Sequence, residues 1–181
     1  MIKFNVASIN RCTETEGPHK RLCIWFQGCD IYCNECCNPD YQPFIARHIM
    51  SIDEIISVIK KSIDEFGIEG VTYSGGEPTC QHNLPFLTNE IKKLGLGVIS
   101  FTGRKYEEVS DALAGVDLVL DGAYVLEKKE TKRRLLGSEN QCILCLTDRY
   151  KNDISWFDIV KNGKSVEVHL SNKIVFNGDK I

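Results

Sequence analysis

Cys29, Cys33 and Cys36 lie in the segment Cys29-Asp-Ile-Tyr-Cys33-Asn-Glu-Cys36, and Cys37 follows at once. Thiolates are soft ligands suited to iron–sulfur clusters and to zinc. Three of them in one tight loop can point at three corners of a single cubane. A 4Fe–4S cluster ordinarily takes four cysteines, so three leave one iron open to a substrate or cofactor. The competing reading is a zinc knuckle on Cys29, Cys33, Cys36 and Cys37. The adjacent Cys36 and Cys37 fit one tetrahedral ion poorly, and the paired CxxC halves usual for zinc are missing. The sequence assigns no acid–base or nucleophilic residue.

About 40 residues on stands Tyr73-Ser74-Gly75-Gly76-Glu77-Pro78. Two glycines let a ligand approach the backbone closely. Glu77 offers an acceptor for a cationic amine, and Pro78 stiffens the exit. Taken alone, the segment also reads as an ordinary strand-to-helix turn.

The elements around these segments must hold them in place. Lys3 to Ile9 and Leu22 to Phe26 read as strands, and Gly28 to Pro43 as a loop rich in Cys, Asn, Asp and Pro. Ser51 to Phe66 is the clearest helix, with Ile52, Ile55, Ile56, Ile59, Ile63 and Phe66 at helical spacing. Ser51 with Glu54 makes a capping box, and Gly67 ends the helix. Strand patterns at Ile68–Tyr73, Leu96–Phe101 and Val116–Leu120 alternate with helix patterns at Leu84–Leu94 and Tyr106–Leu113. Such alternation implies βαβ units and a parallel sheet. The tail differs: Trp156–Val160, Ser165–Leu170 and Ile174–Phe176 read as a β-meander, with Asn162-Gly163 and Ser171-Asn172-Lys173 as its turns.

Composition narrows the class. The chain has 181 residues with a formal charge of −3, 43% apolar and 26% charged. One domain with a small appendage follows, divided at residues 1–150 and 151–181. The charge balance gives no reason to expect nucleic-acid binding or a basic membrane-surface patch. No run approaches the roughly 18 apolar residues of a membrane helix. The N-terminal residues lack the apolar run of a signal peptide. Nine cysteines, an odd number in a chain read as unexported, argue against a disulfide framework and place the protein in the cytoplasm.

Taken together, the segments resemble those of radical S-adenosylmethionine (SAM) enzymes, in particular activating proteins of anaerobic ribonucleoside-triphosphate reductase and related glycyl-radical-enzyme activases. The likeness runs from Glu16-Gly17-Pro18 to about Tyr150. Gly17-Pro18 with Arg21 resembles the approach to the first barrel strand. Phe26-Gln27-Gly28-Cys29 through Cys36, then Asn38-Pro39, resembles the cluster loop. Ser74 to Pro78 resembles the segment that holds the methionine amino group. Thr102-Gly103, Val119 to Gly122, and the loop Gly137 to Gln141 resemble later parts of the short activases.

The resemblance implies an α/β fold, a partial (β/α) barrel of the radical SAM type carrying the small C-terminal β-meander. It implies a 4Fe–4S cluster on Cys29, Cys33 and Cys36, with its open iron chelating SAM. One-electron cleavage of SAM then gives methionine and a 5′-deoxyadenosyl radical, which takes a hydrogen atom from a glycine Cα of a partner enzyme. Gly75, Gly76 and Glu77, with Ser74, are implied at the methionyl group. Glu35 falls where the family uses backbone against adenine, and the neighbouring Cys36 and Cys37 are taken with it as cofactor-binding. Thr102 and Asp121 are candidates for ribose or barrel-mouth contacts. The implied partner is a glycyl radical enzyme, anaerobic ribonucleotide reductase, with a flavodoxin or ferredoxin-type electron donor. A small-molecule radical SAM enzyme similar to 7-carboxy-7-deazaguanine synthase is the enzyme alternative, and a zinc-bound interaction module the other.

The chain departs from the family pattern at His19, Glu35, Cys37 and Arg104. Cys142 and Cys145 lie three apart on an expected strand and so face opposite sides. Cys12, Cys23 and Cys80 read as small core or surface residues. The basic run Glu127 to Arg134 reads as a solvated loop, with docking of a partner or phosphate as the sharper alternative.

Overall fold

β-Branched and aromatic runs form the strands of a seven-stranded sheet, and the 3.6-residue apolar periods form the helices that cover it. The computed structural model describes residues 2–170 and 174–178. In chain order the elements are β1 (Lys3–Thr13), β2 (Arg21–Phe26), β3 (His48–Ser51), α1 (Ile52–Phe66), β4 (Gly70–Gly75), α2 (Leu84–Lys93) and β5 (Gly97–Thr102). Then follow α3 (Tyr106–Val109), β6 (Leu118–Asp121), β7 (Cys142–Cys145), α4 (Ile159–Asn162), β8 (Val166–Leu170) and β9 (Ile174–Gly178).

The sheet order is β3-β1-β2-β4-β5-β6-β7. β2, β4, β5 and β6 are parallel, as the alternating pattern implies. β1 and β7 flank them antiparallel, and β3, antiparallel to β1, runs in the direction of the central strands again. The connection from β1 to β2 holds no helix, and a chain that turns back without a crossover returns antiparallel. β3 has no clear signal in the sequence; four residues pair it to β1 from Lys3↔Ser51 to Val6↔His48.

α1 starts as its sequence dictates. Glu54 N–H donates to Ser51 Oγ at 3.3 Å, and Ser51 N–H to Glu54 Oε2 at 2.7 Å. Gly67 closes it at φ 65°. Ile55 and Ile59 pack with Leu84, Leu87 and Ile91 of α2 against Leu22, Ile24, Phe26, Val71, Tyr73 and Val98. The opposite sheet face carries the alternate residues, among them Cys23, Trp25, Thr72 and Ile99, all buried.

Two expected elements differ. The helix expected over Tyr106–Leu113 stops at Val109. Beyond it the chain tightens into three-residue turns, with Leu113 N–H shared between the Val109 and Ser110 carbonyls. Ser110 and Asp111 are poor helix formers because their side chains compete for backbone groups. The first expected tail strand, Trp156–Val160, is absent: residues Asp148–Phe157 form 3-10 turns that lead into α4. Tertiary packing decides this, since Phe157 is buried beside Leu118 and Leu120, and Trp156 packs at the edge of that cluster. Gly163, at φ 69°, ends α4 rather than turning a hairpin. β8 and β9 do pair as a hairpin; the expected turn Ser171-Asn172-Lys173 between them lies outside the described residues. The hairpin reaches back to the β1–β2 loop, where Glu14 N–H donates to Glu167 Oε1 at 2.6 Å and Gly178 N–H to Glu16 Oε1 at 3.2 Å.

The N-terminal ends of the parallel strands are locked by Arg21. Its guanidinium, fully buried, donates to Thr72 Oγ1 (2.7 Å), Pro18 O (3.0 Å), Tyr150 Oη (2.8 Å) and Val71 O (2.9 Å). Gly70 and Gly97 make room: a Cβ would stand 2.6 Å from Arg21 Nη1 at the first and 2.1 Å from Tyr150 Oη at the second. Burial pushes the Arg21 pKa down, and the Tyr150 hydroxyl offsets part of that. Arg21→Met leaves the Thr72 and Tyr150 hydroxyls and the Pro18 and Val71 carbonyls short of a donor at buried positions. The expected cost is about 3 kcal/mol, read as a lower urea midpoint at unchanged slope. An unmoved midpoint would show that the lock adds nothing.

Candidate functional site

The sequence-nominated residues collect at the C-terminal ends of the parallel strands, the end at which barrel folds carry their sites. Cys29 follows β2, Ser74 and Gly75 end β4 with Gly76 and Glu77 just beyond, Thr102 ends β5 and Asp121 ends β6. The loop carrying the cysteines has zipped stems. Gly28 N–H donates to Tyr41 O at 2.8 Å and Cys29 N–H to Gln42 O at 2.9 Å. The Gln27 side chain reinforces the zip, donating to Asp40 O (3.2 Å) and Pro43 O (2.7 Å).

Gly75 and Gly76 prove necessary for a reason closer than a ligand. A Cβ on Gly75 would stand 2.4 Å from Phe26 N, and one on Gly76 would stand 2.3 Å from Gly28 O. The glycines let the end of β4 press against the backbone that leads into the cysteine loop. Gly76 N–H donates to Phe26 O at 2.8 Å and Glu77 N–H to Gly28 O at 2.9 Å.

Cys29 is buried, Cys33 and Cys36 are partly buried, and Cys37 is exposed. Burial pushes the Cys29 thiol up, while hydrogen bonds from the Ile31 and Tyr32 backbones pull it back. Asn38 N–H donates to Cys36 Sγ at 3.4 Å. Tyr32 and Glu35 each sit at φ 52°, in the left-handed region, and this bends the loop between the thiols. Glu35 itself is exposed. Among the described residues, no three Cys, His, Asp or Glu side chains converge as a set for a single metal ion. A cubane takes one thiolate per iron, so its ligands need not converge on one point. Three thiols in a short loop with backbone N–H groups turned to sulfur suit that group chemically.

Glu77 is the hub of the mouth. It is buried, and its carboxylate accepts from Thr79 N–H (3.1 Å), Thr79 Oγ1 (2.6 Å) and Thr102 Oγ1 (2.8 Å) on Oε1, and from Gly103 N–H (2.9 Å) on Oε2. Its carboxylate thus fastens the end of β4 to the end of β5. This tie comes in addition to the amine-acceptor role the sequence suggests. Asp121 sits beside Thr102 in register. Its Oδ2 accepts from Tyr106 N–H at 3.0 Å, and its Oδ1 lies 3.6 Å from Lys105 Nζ.

Sequence reasoning missed Asp30, Thr79 and the use made of Arg104. Arg104 Nη2 donates to Asp30 Oδ1 at 2.5 Å and Arg104 Nε to Thr79 Oγ1 at 3.3 Å. Burial raises the Asp30 pKa, but hydrogen bonds from Arg104 and Cys80 and the Arg104 charge outweigh it and hold the carboxyl below its ordinary value. The Cys80 thiol, pushed up to about 11 mainly by burial, donates to the same oxygen at 3.4 Å.

The remaining candidates stay outside. Cys23 is fully buried beside Ala7 and Trp25, on the sheet face away from α1 and α2. Cys142 is exposed and Cys145 packs at the edge of a core cluster, as residues three apart on a strand must. The basic run is only partly solvated. Arg133 pairs with Glu130 at 2.5 Å, and Arg134, buried, lies 3.9 Å from the Trp156 ring centroid.

Residues 15–144 match the family described as a 4Fe-4S single cluster domain. Over 92% of its length the chain is 30% identical to the pyruvate formate-lyase-activating enzyme of Clostridium pasteurianum, covering 80% of that protein. The chain belongs to the radical SAM enzymes. The cofactors of this radical SAM chain are a 4Fe–4S cluster and SAM. Pyruvate formate-lyase-activating enzymes of Staphylococcus epidermidis and Staphylococcus aureus (strain USA300) are each 34% identical to it. The matches take in 52% and 53% of this chain but only 38% and 40% of those proteins. In fold, it is similar to QueE from Escherichia coli, with a TM-score of 0.53, 16% identity, 70% of this chain and 74% of that chain covered. This likeness bears out the partial barrel. Among the described residues, no helix is long and apolar enough to cross a membrane.

Proposed function

We propose that this radical SAM enzyme generates a glycyl radical on a partner enzyme, and that the partner is anaerobic ribonucleotide reductase. Cys29, Cys33 and Cys36 hold the cluster in this reading, and Ser74 to Glu77 border the methionyl group. When bound on Cys29, Cys33 and Cys36, the cluster would supply the electron for reductive cleavage of SAM, the chemistry that hydrogen abstraction from a partner's glycine calls for. The chain's own part is to orient and to shield. The Gly76 and Glu77 amides tie the strand end to the cysteine loop, and Glu77 holds the next strand end beside it.

The observation that carries the activase reading is the 30% identity over 92% of the chain to an activating enzyme. The finer choice of partner rests on the resemblance of Gly137 to Gln141 to the closing loop of short activases. Gln141 builds that loop onto the end of β6: its Oε1 accepts from Gly137 N–H at 2.7 Å, and its Nε2 donates to Gly122 O at 2.8 Å. A cytoplasmic location and a flavodoxin or ferredoxin-type donor belong to the same proposal.

The test mixes the reconstituted protein anaerobically with SAM, reductant, and either anaerobic ribonucleotide reductase or pyruvate formate-lyase. The expected result is a glycyl radical signal on the reductase in electron paramagnetic resonance. A signal on pyruvate formate-lyase alone would move the partner. Consumption of a small pterin with no protein radical would replace the activase reading by the small-molecule one.

A further inference from the structure

The cysteine loop touches the barrel mouth at a second place, just past the stem residue Cys29. Ile31 lies on Gly103, where a Cβ would stand 2.6 Å from Ile31 Cδ1. Beside this contact one guanidinium spans two elements: Arg104 Nη2 donates to Asp30 Oδ1 at 2.5 Å, and Arg104 Nε to Thr79 Oγ1 at 3.3 Å. Arg104 is itself pinned. Its N–H donates to Thr102 Oγ1 at 3.1 Å, and its carbonyl accepts from Gly122 N–H at 2.9 Å. Thr79 and Thr102 are both bonded to Glu77. The charge that meets the loop is therefore mounted on the ends of β4, β5 and β6.

We propose that Arg104 is a positioning residue for the cysteine loop, clasping Asp30 so that the segment from Cys29 to Cys36 takes one fixed seat over the mouth. The inference rests on the reading that this segment holds the cluster. Between Asp30 and the second stem at Tyr41 the loop has left-handed turns at Tyr32 and Glu35, and the exposed Tyr32 and Glu35 give it little packing. A loop so built needs a tether beyond its stems to hold one conformation. Arginine suits the task because its planar fork meets two acceptors at once, which a lysine ammonium cannot do in the same geometry. The two side chains are 31% and 48% exposed, so the pair adds little to global stability. Its effect falls on the local order of the loop.

Two measurements separate the clasp from the ligand reading. In the iron-free protein, amide hydrogen exchange over residues 30–37 is expected to quicken about fivefold in Arg104→Ala, the size of a modest ion pair. Arg104→Lys should recover part of the protection, and Asp30→Asn with Arg104→Ala should exchange no faster than either alone. In the reconstituted protein, Arg104→Ala should release iron to a chelator faster by a similar factor. It should also change the paramagnetic spectrum that SAM induces in the reduced cluster, at an unchanged thermal midpoint. Exchange and spectrum identical to those of the unmodified protein would overturn the clasp. Faster exchange with unaltered iron release and spectrum would leave a loop tether that does not serve the cluster, and would overturn the positioning role. No iron taken up by the unmodified protein, with exchange over residues 30–37 still faster in Arg104→Ala, would sink the ligand reading alone.

Discussion

Cys33→Ala is expected to abolish formation of 5′-deoxyadenosine, to below a thousandth of the unmodified rate. Cys33 is the middle thiol of the triplet, and loss of one of three ligands leaves a second iron without protein support. Neighbouring thiols offer no ready replacement. Cys37 is exposed and adjacent to Cys36, and Cys80 is turned to Asp30. The loss should appear first in iron and sulfide content. The fold should persist, because Cys33 belongs to no core cluster and the loop stems are zipped by the backbones of Gly28, Cys29, Tyr41 and Gln42, not of Cys33. Retained cleavage of SAM in this variant would remove Cys33 from the ligand set.

Glu77→Ala is expected to lower stability by about 4 kcal/mol and to weaken SAM binding more than tenfold. Four donors converge on this carboxylate from Thr79, Thr102 and Gly103. Removing it leaves buried N–H and O–H groups unpaired, at about 1–3 kcal/mol for each that water cannot reach. The end of β5 then loses its tie to the segment after β4, and the mouth loses its shape. Glu77→Gln keeps the volume but turns an amide NH2 toward groups that are themselves donors, so it should rescue only part of the loss. Urea unfolding and equilibrium dialysis with SAM measure the two effects separately. A variant of unchanged stability would show that the four hydrogen bonds are worth no more than their replacements by water.

How much of this was legible in the sequence depends on the distance over which each feature acts. The CxxxCxxC triplet and the Ser74 to Pro78 segment are local patterns, and both fall at strand ends as expected. The α1 cap, Ser51 with Glu54, acts over three residues and is present as read. The flaws are of two kinds. Where tertiary packing overrides local pattern, the reading fails: Phe157 is drawn into the core beside Leu118 and Leu120, and a strand-like run becomes 3-10 turns. Where function depends on partners far apart in the chain, nothing local reports it. Asp30 and Arg104 are 74 residues apart, and Arg21 and Tyr150 are 129 apart. The glycine pair was legible as a place where the backbone must come close. That the first body to come close is the chain's own Phe26 to Gly28 needed three dimensions.

The most direct test of the central claim is made on the unmodified protein under strict exclusion of oxygen. Iron, sulfide and zinc are counted per chain after reconstitution, and 5′-deoxyadenosine is assayed after adding reductant and SAM. The account predicts about four irons and four sulfides per chain, with 5′-deoxyadenosine formed only when both reductant and SAM are present. Bound zinc, no iron and no cleavage of SAM would contradict it and leave a metal-stapled binding module in its place.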